Sequence, residues 1–208
     1  HGDIKVDFLR GKNNHRRLHS TSYRSDIARA FAISSKNKPR ILDCTAGFGS
    51  DAFSLASLGC EVKLIERNPL IYALLHDGIQ RMEMAICSDE KLKKCINIAC
   101  RFGDSICYLN QSSGDQSFFD AIYLDPMFPP KSKSAKSKKE MQAVQNITDS
   151  EDDYDELLSG ALESRVKRIV IKRPIKGSFL SGISPSFSIK ARSITVSYTH
   201  LTLPTNVA

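Results

Sequence analysis

The chain has 208 residues, 41% hydrophobic and 25% charged, with a net charge of +7 and a pI near 9.1. That is enough for one well-buried α/β domain and too little for two large ones; no apolar run reaches membrane-span length, and the start carries no signal-peptide core. The basic balance suits a polyanionic partner, and six cysteines without a CxxC pair point to reduced, mostly buried thiols in a cytoplasmic protein rather than to a metal site.

The chain opens without an initiator Met, the mark of a fragment lacking its start, and residues 1–35 read as an N-terminal extension. Ile4 to Phe8 is extended, a basic patch follows at His15, Arg16 and Arg17, and Ser22 to Ile33 has helical spacing with Ile27, Ala30 and Phe31 on one side. Arg16 and Arg17 are candidate phosphate contacts, with a plain solvated basic surface as the competing reading. The folded domain is placed at residues 36–194. It begins with a short apolar run, Ile41-Leu42, ending in Asp43. The turn Ala46-Gly47-Phe48-Gly49 follows, then a helical run from Asp51 to Leu58, then Val62 to Ile65 ending in Glu66. Strand, tight turn, helix and strand form the opening unit of a doubly wound, mostly parallel α/β sheet. Gly47 and Gly49 let the backbone turn sharply and approach a ligand. A carboxylate at the tip of the second strand suits the vicinal hydroxyls of a ribose, so the unit reads as a nucleoside crevice.

Gly47-x-Gly49-x-x-Ala52 with Glu66 downstream also satisfies a dinucleotide fingerprint. Asp43 and Asp51 lean instead towards S-adenosylmethionine. A carboxylate there can face the ammonium of a methionine moiety, whereas a pyrophosphate has no use for one. The plainer alternative is that Asp43 only ends a strand and Asp51 only caps a helix.

Further along, Asn68-Pro69 starts a long helix to about Met84, with Leu74 and Leu75 supplying core contacts, and Ser88 to Cys95 is a polar loop or short helix. Ile96 to Cys100 is a third strand running into Phe102-Gly103-Asp104-Ser105, which puts Asp104 and Ser105 within reach of an adenine ring. Phe119 to Leu124 is a fourth strand, leading into Asp125-Pro126-Met127-Phe128-Pro129-Pro130. Three prolines stiffen this loop into a shelf that presents an acid, a carbonyl edge and an aromatic ring. Such a shelf suits methylation of an exocyclic amine: Asp125 and the Pro126 carbonyl accept its two N–H bonds, and Phe128 stacks on the base. A structural turn closing the strand is the alternative. The basic run that follows supplies phosphate contacts from Lys131, Lys133, Lys136, Lys138 and Lys139. Glu140 to Ile147 looks helical. Acids from Asp149 to Glu156 open another amphipathic helix, where the helix dipole accounts for them. Arg168 to Lys172 is a fifth strand, and Phe187 to Lys190 with Ser193 to Val196 forms a hairpin.

The segments DCTAGFGSDAF, LASLGCEVKLIERNPLIYALLHDGI, YLDPMFPPKSKSAKSKKEM and RIVIKRP together resemble the ribosomal RNA small-subunit methyltransferase J family, over roughly Val6 to Ile194. The resemblance implies a Rossmann-like class I methyltransferase fold, S-adenosylmethionine as cofactor, and methylation of the N2 amine of one guanosine in 16S rRNA. It implies cofactor contacts at Ser50, Asp51, Glu66, Arg67, Asp104, Ser105 and Asp125. The implied partner is small-subunit rRNA or the 30S subunit, with no membrane or metal, and a monomer is the expected state. Ser50 stands where family members often carry Arg, and Ser20 to Tyr23 replaces a glycine-rich loop. Residues 195–208 depart from the family's closing strand, look like adaptor sequence, and are excluded from the expected fold. Two other functions share these features: an adenine-N6 or other amine methyltransferase acting on DNA or a small molecule, and a non-catalytic RNA-binding protein.

Overall fold

Seven short runs rich in aliphatic residues pair into one sheet, ordered β3-β2-β1-β4-β5-β7-β6. The structure is a computed structural model that describes residues 4–15, 22–87, 96–111, 118–126, 151–164, 166–174, 179–190 and 194–200. The strands are β1 (Ile41–Asp43), β2 (Glu61–Glu66), β3 (Asn97–Phe102), β4 (Ala121–Leu124), β5 (Arg168–Pro174), β6 (Phe187–Lys190) and β7 (Ile194–His200). Strands β1 to β5 are parallel, while β7 runs antiparallel to both β5 and β6. The chain lays β1, β2 and β3 outward in one direction, then returns to set β4 on the other side of β1. Strand order therefore reverses between β1 and β4, and in an open α/β sheet that reversal opens a crevice above the strands' carboxyl ends.

Six helices accompany the strands among the described residues: α1 (Gly11–His15), α2 (Asp26–Ala30), α3 (Ser50–Ser57), α4 (Pro69–Ile86), α5 (Ser105–Gln111) and α6 (Glu151–Glu163). Because strand side chains alternate, successive residues feed two apolar layers. Ile41, Ala121, Tyr123 and Val170 pack with Phe8, Phe53 and Leu75 on one face of the sheet. Leu42, Ile122, Leu124 and Ile169 pack with Leu109, Leu157 and Leu158 on the other. This alternation also decides which polar tips meet. Asp43 lies beside Tyr123 in the ladder, Tyr123 beside Val170, and the residues two further along each strand project to the same side.

Several boundaries differ from those expected. The helix read over Ser22 to Ile33 shrinks to α2, because Ser25 caps it through the Ala28 N–H. It ends where Ala32 takes a left-handed turn (φ 53°) and the Ile33 N–H reaches back to the Ala28 carbonyl. Ser105, placed at the end of the third strand's run, is the start of α5, with Asp104 Oδ1 accepting the Cys107 N–H at 3.0 Å. The segment excluded from residue 195 onward supplies β7 up to His200, hydrogen-bonded between β5 and β6. Burial of the cysteines holds for Cys44 and Cys60 and fails for Cys87 and Cys107, which close α4 and face solvent on α5. The helix read over Glu140 to Ile147 lies outside the described residues. Among the described residues, no helix is long and apolar enough to cross a membrane.

α4 begins where the sequence indicates: Asn68 Oδ1 accepts the N–H groups of Leu70 and Ile71, and Pro69 occupies the first turn. Its Gly78 admits the N-terminal segment. A Cβ there would sit 2.8 Å from Val6 Cγ1 and 2.9 Å from the Val6 carbonyl oxygen. That carbonyl also accepts a 2.6 Å bond from Arg81 Nη2. Gly78→Ala gains helix propensity of about 1 kcal/mol. Overpacking against backbone costs about 3 kcal/mol, the upper end of its usual range, and the expected net destabilisation is about 2 kcal/mol. A urea midpoint that moves down without a change in slope checks this.

Candidate functional site

Above the reversal point, the loops leaving β1, β2 and β3 are tied to one another by short polar bonds. The Gly47 N–H donates to Glu66 Oε2 at 2.9 Å and the Asn68 N–H to Glu66 Oε1 at 2.8 Å. The Gly103 N–H donates to the Glu66 carbonyl at 3.1 Å, and Ser105 Oγ donates to the Cys44 carbonyl at 2.8 Å. The cleft they enclose has about 590 Å³ of space, part of it open to solvent. Gly47, Glu66, Arg67, Asp104, Ser105 and Asp125 all face it. The tips of β2 and β4 thus share one hollow.

At the β2 end, Glu66 is buried. Burial raises its carboxyl pKa, and the N–H bonds from Asn68 and Gly47 oppose that rise. Each carboxylate oxygen takes one backbone N–H and retains acceptor capacity towards the cleft. Beside it, Arg67 reaches Asp104 at 3.5 Å and Asp153 of α6 at 2.8 Å. Asp153, Tyr154 and Leu157 bring α6 over the cleft as its far wall.

The β4 end is acidic. Lys172 Nζ lies 2.6 Å from Asp51 Oδ2 and 2.5 Å from Asp125 Oδ2. The Tyr123 hydroxyl donates to Asp51 Oδ2 at 2.9 Å. The Asp125 N–H donates to Thr45 Oγ1 at 2.6 Å, and Thr45 in turn donates to Asp43 Oδ1 through its N–H (3.0 Å) and its hydroxyl (3.4 Å). Burial pushes the Asp43 carboxyl up to about 7; the Thr45 N–H lowers it, and the nearby Asp125 and Asp51 raise it further. Asp125 is also raised, by burial first, with Lys172 working against it. Three carboxylates set against one lysine suit a cationic ligand. Glu66, at the other end, suits a hydroxyl donor. A group carrying a cation at one end and a diol at the other fits these residues.

The sequence candidates do not all occupy the same position. Asp43 and Asp51 lie beneath the acidic end, joined to Asp125 through Thr45 and Lys172. Gly49 is required by the core, since its absent side chain faces Leu75 Cδ1 (2.8 Å) and Phe8 (3.2 Å), with φ at 70°. Ser50 turns away and donates to Asn13 Oδ1 of α1 at 3.1 Å. Pro126 is buried next to Asp125. Phe128, Arg16, Arg17, Lys131, Lys133, Lys136, Lys138 and Lys139 lie outside the described residues. Lys172, Tyr123, Thr45 and Asp153 are site residues that sequence reasoning did not single out. Among the described residues, no group of His, Cys, Asp or Glu is arranged to hold a metal ion.

Comparison with known proteins agrees with this architecture. The family model described as "Putative SAM-dependent methyltransferase" matches residues 1–196. A Cellvibrio japonicus protein named ribosomal RNA small subunit methyltransferase J is 42% identical over 194 residues, covering 92% of this chain and 73% of that one. Its Haemophilus influenzae namesake is 38% identical over 192 residues, with the same two coverages. Among solved structures, a SAM-dependent methyltransferase from Neisseria gonorrhoeae superposes with a TM-score of 0.73 at 30% identity, over 96% of this chain and 75% of that one.

Proposed function

Because this chain belongs to the ribosomal RNA small subunit methyltransferase J family of SAM-dependent methyltransferases, we propose that it methylates the exocyclic N2 amine of a guanosine in 16S rRNA. The observation that carries this reading is the shared cleft, with a buried acid at the β2 tip and a lysine-held acid at the β4 tip. S-adenosylmethionine, when bound, supplies an electrophilic methyl group on a sulfonium.

The chain's own residues then have separable tasks. Glu66 accepts the ribose hydroxyls, and Asp104 with Ser105 addresses the adenine side. Asp43 and Asp51 set a negative field at the methionine end. Asp125 accepts an N–H of the target amine, whose lone pair is delocalised into the base and needs alignment more than activation. Phe128 and the Pro126 carbonyl complete the shelf. Lys131 to Lys139, with Arg16 and Arg17, supply phosphate contacts.

The test is transfer of labelled methyl to 16S rRNA from cells lacking the enzyme, as free RNA and as 30S subunits, with duplex DNA as competitor. Mass mapping should then find one N2-methylguanosine. Labelling that favours the DNA overturns the rRNA reading.

The field at Asp43 makes a second prediction. In the free protein its carboxyl titrates at about 7. A cation placed beside it favours the ionised form, so binding below that pH releases a proton and affinity falls as pH drops. S-adenosylmethionine should bind about tenfold more weakly at pH 6 than at pH 8. Titration calorimetry in buffers of differing ionisation heat checks the proton count, and Asp43→Asn should flatten the profile.

A further inference from the structure

Asp125 presents two chemically equivalent oxygens, and a carboxylate on a single bond can offer either to a substrate. What distinguishes them here is Lys172. One residue past the last ladder pair, Leu124 with Ile171, Asp125 and Lys172 stand side by side on the α3 side of the sheet. There the ammonium bridges Asp125 Oδ2 and Asp51 Oδ2 at 2.5 and 2.6 Å, and Tyr123 holds Asp51 from below.

We infer that Lys172 is a positioning residue for methyl transfer: its ammonium claims one oxygen of Asp125 and leaves the other, still ionised, to accept the N–H of the target amine. The assignment rests on the methyl-transfer reading above.

Charge explains why the role needs a cation. Asp125 faces Asp43 from β1, Asp51 from α3, Tyr123 from its own strand and Lys172 from β5. Among these groups Lys172 is the cation. Without it, Asp51 and Asp125 would confront each other in a desolvated pocket, and one would take up a proton. A protonated Asp125 offers an O–H where the amine needs an acceptor. The two acids hold Lys172 well above the usual lysine range, so it stays charged and does not receive the proton that the amine loses. Its part is electrostatic and geometric.

The test compares wild type, Lys172→Met and Lys172→Arg for methyl transfer to 16S rRNA at saturating cofactor, from pH 6 to 9. For Lys172→Met, we expect kcat at pH 7 to fall about thirtyfold while cofactor affinity stays within about threefold. Its activity should recover as pH rises, because Asp125 regains its charge at higher pH. Lys172→Arg keeps the charge but replaces a point donor with a planar fork. Its pH profile should overlay wild type, with kcat lowered only a few-fold. A loss in Lys172→Met that is equal at every pH overturns the assignment, as does unchanged kcat or cofactor binding lost in proportion. Should Lys172→Met not fold, Lys172→Arg decides alone, and a displaced acid limb in that variant refutes the role. Wild-type protein that moves no methyl to rRNA removes the underlying reading, and this assignment falls with it.

Discussion

Asp125→Ala should lower methyl transfer to 16S rRNA by about a thousandfold or more in kcat, with the protein still folded. The size follows from what the carboxylate does at the β4 tip. An exocyclic amine conjugated to a purine is a weak nucleophile, and an acceptor that fixes its N–H fixes the direction of its lone pair. Removing that acceptor leaves the amine to rotate and solvate. The fold should tolerate the change, because Lys172 keeps Asp51 as a partner at 2.6 Å and no buried charge is stranded. Asp125→Asn is the sharper probe. The amide is nearly isosteric but has a single acceptor oxygen, and Lys172 at 2.5 Å claims it. The NH2 group then faces the substrate, donor against donor. We therefore expect the amide to lose about a hundredfold or more, far beyond what lost charge in a solvated site would cost. RNA binding, measured by filter retention, should change little in either variant. An alanine variant that keeps more than about a tenth of wild-type kcat removes Asp125 from the chemistry.

The parts of this site that lie close together in sequence were legible in it, and the parts assembled by strand pairing were not. Ile41 to Glu66 announces strand, turn, helix and strand by its own periodicity, and the acids at the strand tips follow from the fold rule for open α/β sheets. Lys172 sits in an apolar strand where a single lysine reads as a solvated edge. Its meaning depends on the β4–β5 register, which sets it beside a carboxylate 47 positions earlier. Asp153 was absorbed into a run of acids that the helix dipole explains, yet its carboxylate meets Arg67 across 86 positions. Gly49 carries a packing requirement that its sequence context hides. A glycine in a ligand-binding turn invites a ligand-side explanation, while this one makes room for Leu75 and Phe8. Two signals were present and went unread. Asp104 three residues before Cys107 is an N-cap pattern for α5. The alternation that marks Ser193 to Val196 as a hairpin strand continues to Tyr198, inside the segment set aside as adaptor sequence, and β7 runs on to His200.

Glu66→Ala should weaken S-adenosylmethionine binding about a hundredfold. Two contributions combine: the acceptor for the ribose hydroxyls disappears, and the Gly47 and Asn68 N–H groups lose the carboxylate that joins the β1 and β2 loops. Glu66→Gln should be nearly as damaging, which is unusual for so small a change. Two backbone N–H groups converge on the carboxylate from different sides, so wherever the amide NH2 is placed it meets one of them donor to donor. A scaffold effect alone would also lower affinity, so the size of the loss does not identify the ligand group involved. A double-mutant cycle does. Titrating wild type and Glu66→Ala with S-adenosylmethionine and with its 2′-deoxy analogue yields four affinities. If Glu66 holds the ribose, the variant should no longer distinguish the two ligands, and the missing hydroxyl should cost affinity only in wild type. Equal penalties for the deoxy ligand in both proteins would mean that the hydroxyl finds its partner elsewhere. Glu66 would then be a brace between two loops and not a cofactor contact.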